Sequence, residues 1–183
     1  REDYPILIKG LQRLEYRGYD SAGIAILNGD LKVFKKAGKV SDLHNFAKDK
    51  DVKGKIGMGH TRWATHGEPN DRNAHPHFSA KEGEARIAIV HNGIIENYEE
   101  LRLELTKRGY LFESQTDTEV IAHLINDFYD GDLLPAVQHV VKQLKGAFAI
   151  AVFCKDESQR IIGARQGCPL VVGVGRGENF LAS

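Results

Sequence analysis

Between Gly59 and His77 the chain reads GHTRWATHGEPNDRNAHPH, which sets two arginines, one tryptophan and four histidines in a segment of poor periodicity. Imidazole titrates near neutral pH and is the commonest metal ligand, so His60, His66, His75 and His77 invite metal binding first. Their spacing argues against it: His75-Pro76-His77 has no helical i, i+4 pair, and the segment holds no cysteine pair, so no zinc or iron site is expected. The segment follows an apolar run, Ile56 to Gly59, that reads as a strand end, and is taken as a loop presented by a rigid scaffold. A second polar set, His91-Asn92-Gly93, ends another strand-like run, Arg86 to Val90. Two polar strand ends are expected to face one pocket.

The elements that must hold those ends come from one ordinary domain's length of chain, 183 residues, enough to bury its own core. Lys plus Arg and Asp plus Glu both total 25, so no net field exists to hold nucleic acid or an anionic membrane, and a small polar ligand is expected. No apolar run reaches the roughly 20 residues of a bilayer span and no secretory leader opens the chain, so a cytoplasmic protein is expected. Cys154 ends an apolar run and Cys168 lies in a Gly-Cys-Pro turn, and both are read as structural.

Along the chain, Leu7, Leu11 and Leu14 mark a helix over Pro5 to Arg17 with Asp3 as N-cap and Gly18 as stop. Gly23 to Leu27 and Leu31 to Lys35 form a hairpin through Asn28-Gly29, a pair that readily supplies positive φ. Lys48 to Lys55 alternates Lys and Asp and is read as a solvated connection or frayed helix end with no function. Asn97 opens a helix to Arg108, with Glu100 at the capping-box position and Gly109 beyond it. Thr116 or Asp117 caps the next, where Ile121, Leu124, Ile125 and Phe128 define one buried stripe. A further helix runs from Leu133 to Leu144, and Ala147 to Cys154, Arg160 to Ala164 and Leu170 to Val174 are strand-length. Gly173, Gly175 and Gly177 are read as a strand-to-turn connection, since no helix follows to make a phosphate loop. Hairpins and paired helices favour an α+β arrangement of antiparallel sheets covered by helices over a doubly wound parallel sheet.

The segments LEYRGYDSAG (Leu14 to Gly23), HTRWATHGEP (His60 to Pro69), NAHPH (Asn73 to His77), HNGIIENY (His91 to Tyr98) and TDTEVIAHL (Thr116 to Leu124) resemble, in order, the glutaminase domains of glucosamine-6-phosphate synthases. These are class II glutamine amidotransferases, and other members of that class typically differ at the Trp63, His66, Ile94 and Ile95 positions. The resemblance implies an N-terminal-nucleophile hydrolase fold, a four-layer αββα sandwich of two antiparallel sheets between helical layers, with no cofactor and no metal.

It also implies roles. Arg62 resembles the residue that grips the glutamine α-carboxylate, work suited to a planar guanidinium, although an exposed arginine is as often a surface ion pair. Asp117 resembles the acid that receives the α-ammonium, beside its plain reading as a helix N-cap. Asn92 and Gly93 resemble an oxyanion hole, where a bare Asn-Gly pair is usually a turn. Thr65 and His66 are expected to line the glutamine site, Arg17 to lie near the nucleophile, and Trp63 to gate ammonia, though a lone tryptophan is more often core.

The family nucleophile is a cysteine at the mature N-terminus, whose α-amino group serves as base; position 1 here is Arg. The resemblance therefore implies a domain truncated at both ends, inactive as given, whose intact form is a homodimer passing ammonia to sugar-isomerase domains that convert fructose 6-phosphate to glucosamine 6-phosphate. Three readings stand beside it: a non-catalytic glutamine-binding domain, another class II amidotransferase, and a histidine-rich metal-binding module.

Overall fold

A computed structural model describes residues 2–65, 67–81 and 83–183. In chain order the elements are α1 (Asp3–Leu14), a 3-10 turn (Glu15–Arg17), β1 (Ser21–Asn28), β2 (Asp30–Ala37), α2 (Val40–Ala47), β3 (Ile56–Arg62), β4 (His77–Lys81), β5 (Glu84–Ile95), α3 (Tyr98–Lys107), α4 (Thr118–Phe128), α5 (Leu133–Val141), β6 (Gly146–Cys154), β7 (Ile162–Gln166), β8 (Val171–Val174) and β9 (Asn179–Ala182). All strand pairings within these elements are antiparallel: a sheet of order β2-β1-β3, a sheet of order β4-β5-β6-β7, and the hairpin β8-β9.

Alternation along the strands builds the layers, because successive side chains leave opposite faces. On β1, Ala22, Ile24 and Ile26 meet α1 and α2 through Ile8, Leu11, Val40 and Leu43, whereas Ala25 and Leu27 turn inward to Met58, Ala88 and Phe153. On β5 and β6, Ile87, Ile89, Phe148, Ile150 and Val152 pack under α3, α4 and α5. The result is helix, sheet, sheet, helix, with an inter-sheet core made partly of alanine. Each fully buried Leu or Ile here stabilises the fold by about 1.5–3 kcal/mol relative to exposure.

The hairpin forms where expected, with Asn28 opposite Asp30 and Gly29 at φ 74°. Other expectations need correction. The first helix starts at Asp3, not Pro5, and Asp3 does not cap it: its backbone N–H donates to Gly54 O at 3.0 Å, while the Glu2 carboxylate accepts from Gly54 N–H at 2.9 Å. Val40–Ala47 is a helix the apolar pattern did not reveal, started by carboxylates from two directions: Asp42 accepts from Lys39 N–H at 2.8 Å and Glu15 from Val40 N–H at 2.9 Å. Asn97 forms no capping box; its side chain instead bridges to Gln143 O and Lys145 N–H, both at 2.9 Å, pinning α3 to the turn before β6. Helix α4 is buried on nearly every side from Thr118 to Asn126, not along one stripe, because β4 and β5 lie beneath it and α3 and α5 flank it. The strand-like region near the C-terminus contains a second strand, β9, completing a hairpin on β8 through Gly177 at φ 71°.

Candidate functional site

The polar motifs lie on strands more than on loops. His60 and Arg62 belong to β3, and His91, Asn92 and Gly93 are interior to β5, which runs on to Ile95. Met58 and Ala88 fix the inward face of their strands, so by alternation His60, Arg62 and Asn92 also point between the sheets. The sheets part there around a pocket of about 280 Å³ whose walls include Arg17, Arg62, Trp63, Thr65, Asn92, Gly93 and Asp117. One pocket thus gathers every described residue that the sequence nominated.

Arg62 is 4% exposed, and its guanidinium donates to the carbonyls of Gly67 at 3.3 Å and Glu68 at 3.4 Å, so the chain that follows β3 folds back over its own arginine. Burial works against its charge, and Asp20 and Asp117 offset that burial. Gly18 makes this approach possible: a Cβ there would stand 2.8 Å from both Arg62 C and Trp63 N. Asp20 completes the anchor, its backbone N–H donating to Arg62 O at 3.1 Å and its carboxylate accepting from Ala64 N–H.

Asp117 is also 4% exposed and occupies the N-cap position of α4, yet its side chain caps nothing. One oxygen accepts from Ile95 N–H at 2.8 Å, and the other lies 4.0 Å from His91 Nδ1. Thr116 does not cap either; its hydroxyl meets His77 Nε2 at 2.9 Å. The carboxylate expected to serve both as cap and as pocket wall instead ties α4 to the end of β5.

Asn92 Oδ1 lies 2.7 Å from His60 Nε2, and Asn92 Nδ2 donates to Ser183 Oγ at 3.1 Å. Gly93 sits beside it at φ 120°, where an added Cβ would come within 2.1 Å of Ala147 O. No other residue type fits that turn of the backbone, and a glycine leaves its N–H uncovered by any side chain of its own.

Around these groups lies a buried polar network that sequence reasoning did not assemble. Thr118 Oγ1 stands 2.8 Å from both His75 Nε2 and His91 Nδ1, and the ring of His75 lies 4.3 Å from that of His60 and 4.7 Å from that of His77. Burial holds His75 and His77 well below the usual imidazole range, and it pushes His60 down to about 4 against the Asn92 bond. These rings are neutral at pH 7. Among the described residues no three His, Cys, Asp or Glu side chains converge as a metal cluster would require. The available signal was period two: His60 and Arg62 continue the inward face of β3, and His91 continues the face of Ile87 and Ile89 on β5.

The remaining nominees form the rim. Trp63 is 62% exposed, not core, and meets Tyr19 edge-on at 5.6 Å between ring centroids. Thr65 is exposed, and Arg17 is exposed with Nη1 donating to Ser183 O at 2.7 Å. His66 lies outside the described residues. Cys154 and Cys168 are both unpaired and neither lines the pocket, and burial raises the Cys154 thiol.

A glutamine amidotransferase domain family matches residues 60–183. Over its full length the chain is 60% identical to the glutamine–fructose-6-phosphate aminotransferase (isomerizing) of Bordetella pertussis, and over 98% of its length it is 61% identical to that of Aquifex aeolicus. It spans about 30% of the length of each of these relatives. Among solved structures it is similar to a glutamine phosphoribosylpyrophosphate amidotransferase from B. subtilis, with TM-score 0.82 and 30% identity over 99% of this chain and 39% of that one. A structure described as the allosteric regulatory enzyme of purine biosynthesis matches with TM-score 0.72 and 33% identity over 82% of this chain and 33% of that one. The sandwich is therefore the N-terminal-nucleophile hydrolase fold that the motifs implied. The matched residues include Arg62, Asn92, Gly93 and Asp117, and the chain belongs to the glutamine amidotransferase domain family.

Proposed function

We propose that the pocket between the sheets binds glutamine and hydrolyses its side-chain amide. The observation that carries this reading is a buried cation and a buried anion, Arg62 and Asp117, opening into one pocket beside Asn92 and Gly93. An amino acid presents a carboxylate and an ammonium on one carbon, and those two charges are its complement. Arg62 takes the α-carboxylate through paired charge-assisted hydrogen bonds and Asp117 takes the α-ammonium. Thr65 lines the substrate's pocket with Arg17 and Trp63 toward its rim, and His66, by its place in the motif, is proposed to contact the same substrate.

The nucleophile in this reading is a cysteine at the mature N-terminus of the full protein. Its α-amino group, with a reference pKa of about 7.7–8.0, accepts the thiol proton. Sulfur attacks the amide carbon, and the oxygen that becomes negative is met by the Asn92 amide and the Gly93 N–H. The cysteine's α-ammonium returns that proton to the amide nitrogen, and collapse breaks the C–N bond, releases ammonia and leaves a glutamyl thioester, which water cleaves to glutamate and the free thiol. No metal or cofactor enters this sequence.

For the whole protein we propose the reaction in the Bordetella relative's name: this domain supplies ammonia to sugar-isomerase domains that convert fructose 6-phosphate to glucosamine 6-phosphate. A cytoplasmic homodimer is part of the same proposal; no helix of the described residues is long and apolar enough to cross a membrane. The test is intact mass and N-terminal sequence of the full-length protein, labelling with an electrophilic glutamine analogue, and assay of glutamate release. A label on an N-terminal cysteine supports the reading. Glutamine binding without label or glutamate would leave a non-catalytic binding domain in its place.

A further inference from the structure

We infer that His60 is a positioning residue for the oxyanion hole, fixing which end of the Asn92 amide faces the reacting carbonyl; the inference rests on the glutaminase reading above. An Asn side chain presents a donor on one arm and an acceptor on the other, and half a turn about its last bond exchanges them. Only the arm bearing Nδ2 can stabilise an oxyanion. With Oδ1 toward the pocket, the same residue would repel the developing charge.

The structure shows what selects the productive arm. His60 Nε2 lies 2.7 Å from Asn92 Oδ1, leaving Nδ2 to donate toward the pocket, where it meets Ser183 Oγ at 3.1 Å. A neutral imidazole carries one ring proton, and its place decides which Asn92 atom it can bond. His60 Nδ1 is shut off from solvent and has no hydrogen-bond partner. A proton there would be a buried N–H with no hydrogen bond of ordinary geometry, whatever the ring's interaction with the His91 backbone supplies, and folded proteins tolerate such a donor less readily than a bare lone pair. The proton therefore belongs on Nε2, and an N–H at Nε2 donates to the oxygen of Asn92 and not to its NH2. Burial keeps the ring neutral, holding it down to about 4. The His75 ring lies against it, tilted by 32° with ring centroids 4.3 Å apart.

His60 is poorly placed to act otherwise. Its Nε2 is engaged by Asn92 and its Nδ1 is enclosed, so neither nitrogen can serve as a general base toward substrate.

The test compares the full-length wild type with H60Q, H60N, N92A and the double variant H60N/N92A, following glutamate release and melting midpoint. A Gln amide N–H reaches roughly the place of Nε2, whereas an Asn amide reaches only that of Nδ1. H60N is expected to lower kcat about 10- to 100-fold with KM within about twofold, a fraction of what loss of a whole oxyanion donor costs. H60Q should recover most of that rate. In the N92A background the His60 substitution should cost almost nothing further, because there is no amide left to orient. Multiplying losses in the double variant, equal rates for H60Q and H60N, or an effect on KM alone would each overturn the inference. A wild type that releases no glutamate would remove the glutaminase reading and this inference with it. An active wild type with an undiminished H60N would remove the inference alone.

Discussion

The carboxylate of Asp117 accepts a hydrogen bond from the backbone N–H of Ile95 at 2.8 Å, joining the first residue before α4 to the last residue of β5. The same side chain thus closes a backbone gap and carries the negative charge of the pocket. The two duties separate by substitution. Asp117→Asn keeps an oxygen for Ile95 but loses the charge, and should raise the KM for glutamine about 10- to 100-fold while leaving the melting midpoint nearly unchanged. Asp117→Ala should do the same to KM and also destabilise by about 1–3 kcal/mol, because Ile95 N–H is then buried without a partner. Equal melting midpoints for the two variants would show that the Ile95 bond contributes nothing.

Arg62→Ala should weaken glutamine binding by about 2–4 kcal/mol, the loss expected when one partner of a desolvated charge pair is removed. Glutamine saturation curves of the full-length enzyme measure it. Arg62→Lys should recover only part, since a lysine cannot reproduce the two-pronged geometry. An Arg62→Ala enzyme saturating at the wild-type concentration would remove Arg62 from the site.

Gly93→Ala tests the backbone. At φ 120° a Cβ would meet Ala147 O at 2.1 Å, so β5 and β6 would have to separate. The expected cost is at least about 2 kcal/mol, a fall of several degrees in melting midpoint for a domain of this size, about 2–4 °C per kcal/mol. A melting midpoint within a degree of wild type would show that the strand accommodates the methyl group.

Stability should fall as pH drops from 7 toward 5. His60, His75 and His77 have folded-state pKa values below that of a free imidazole, chiefly through burial. In that interval the unfolded chain binds protons that the folded chain refuses, so acid favours unfolding, and the loss begins near the unfolded value of about 6.5. His77→Gln should flatten part of the slope of melting midpoint against pH. A midpoint constant from pH 7 to 5 would mean these rings accept protons while folded.

How much of this was legible follows from what each signal measures. The Asn28-Gly29 hairpin was readable because a turn is a local matter of φ angles, and Gly29 sits at φ 74° as that pair demands. Helix α2 was not, because one of the two carboxylates at its start, Glu15, lies 25 residues upstream and accepts from Val40 N–H. The caps failed for the same reason: Asn97 and Asp117 have the right types at the right places, but partners far along the chain, Lys145 and Ile95, claim their side chains. Arg62, Asn92 and Asp117 were found as motif residues; that His60 touches Asn92 across 32 positions could be learned only from how β3 and β5 face each other.

The two halves of the pocket hang from unequal supports. Asn92 and Gly93 belong to β5, hydrogen-bonded to β6 from Ile87 through Ile95, whereas the wall beyond Arg62 is held by scattered contacts such as Ala64 to Asp20 and Asn73 to Gln115. Backbone amides in a central ladder exchange with deuterium only through large openings, and those of irregular segments exchange through small ones. On gentle warming the wall beyond Arg62, Thr65 included, should therefore loosen before the strand that carries Asn92 and Gly93 does: under the proposed reaction, the glutamine concentration for half-saturation rises while the maximal rate is still climbing.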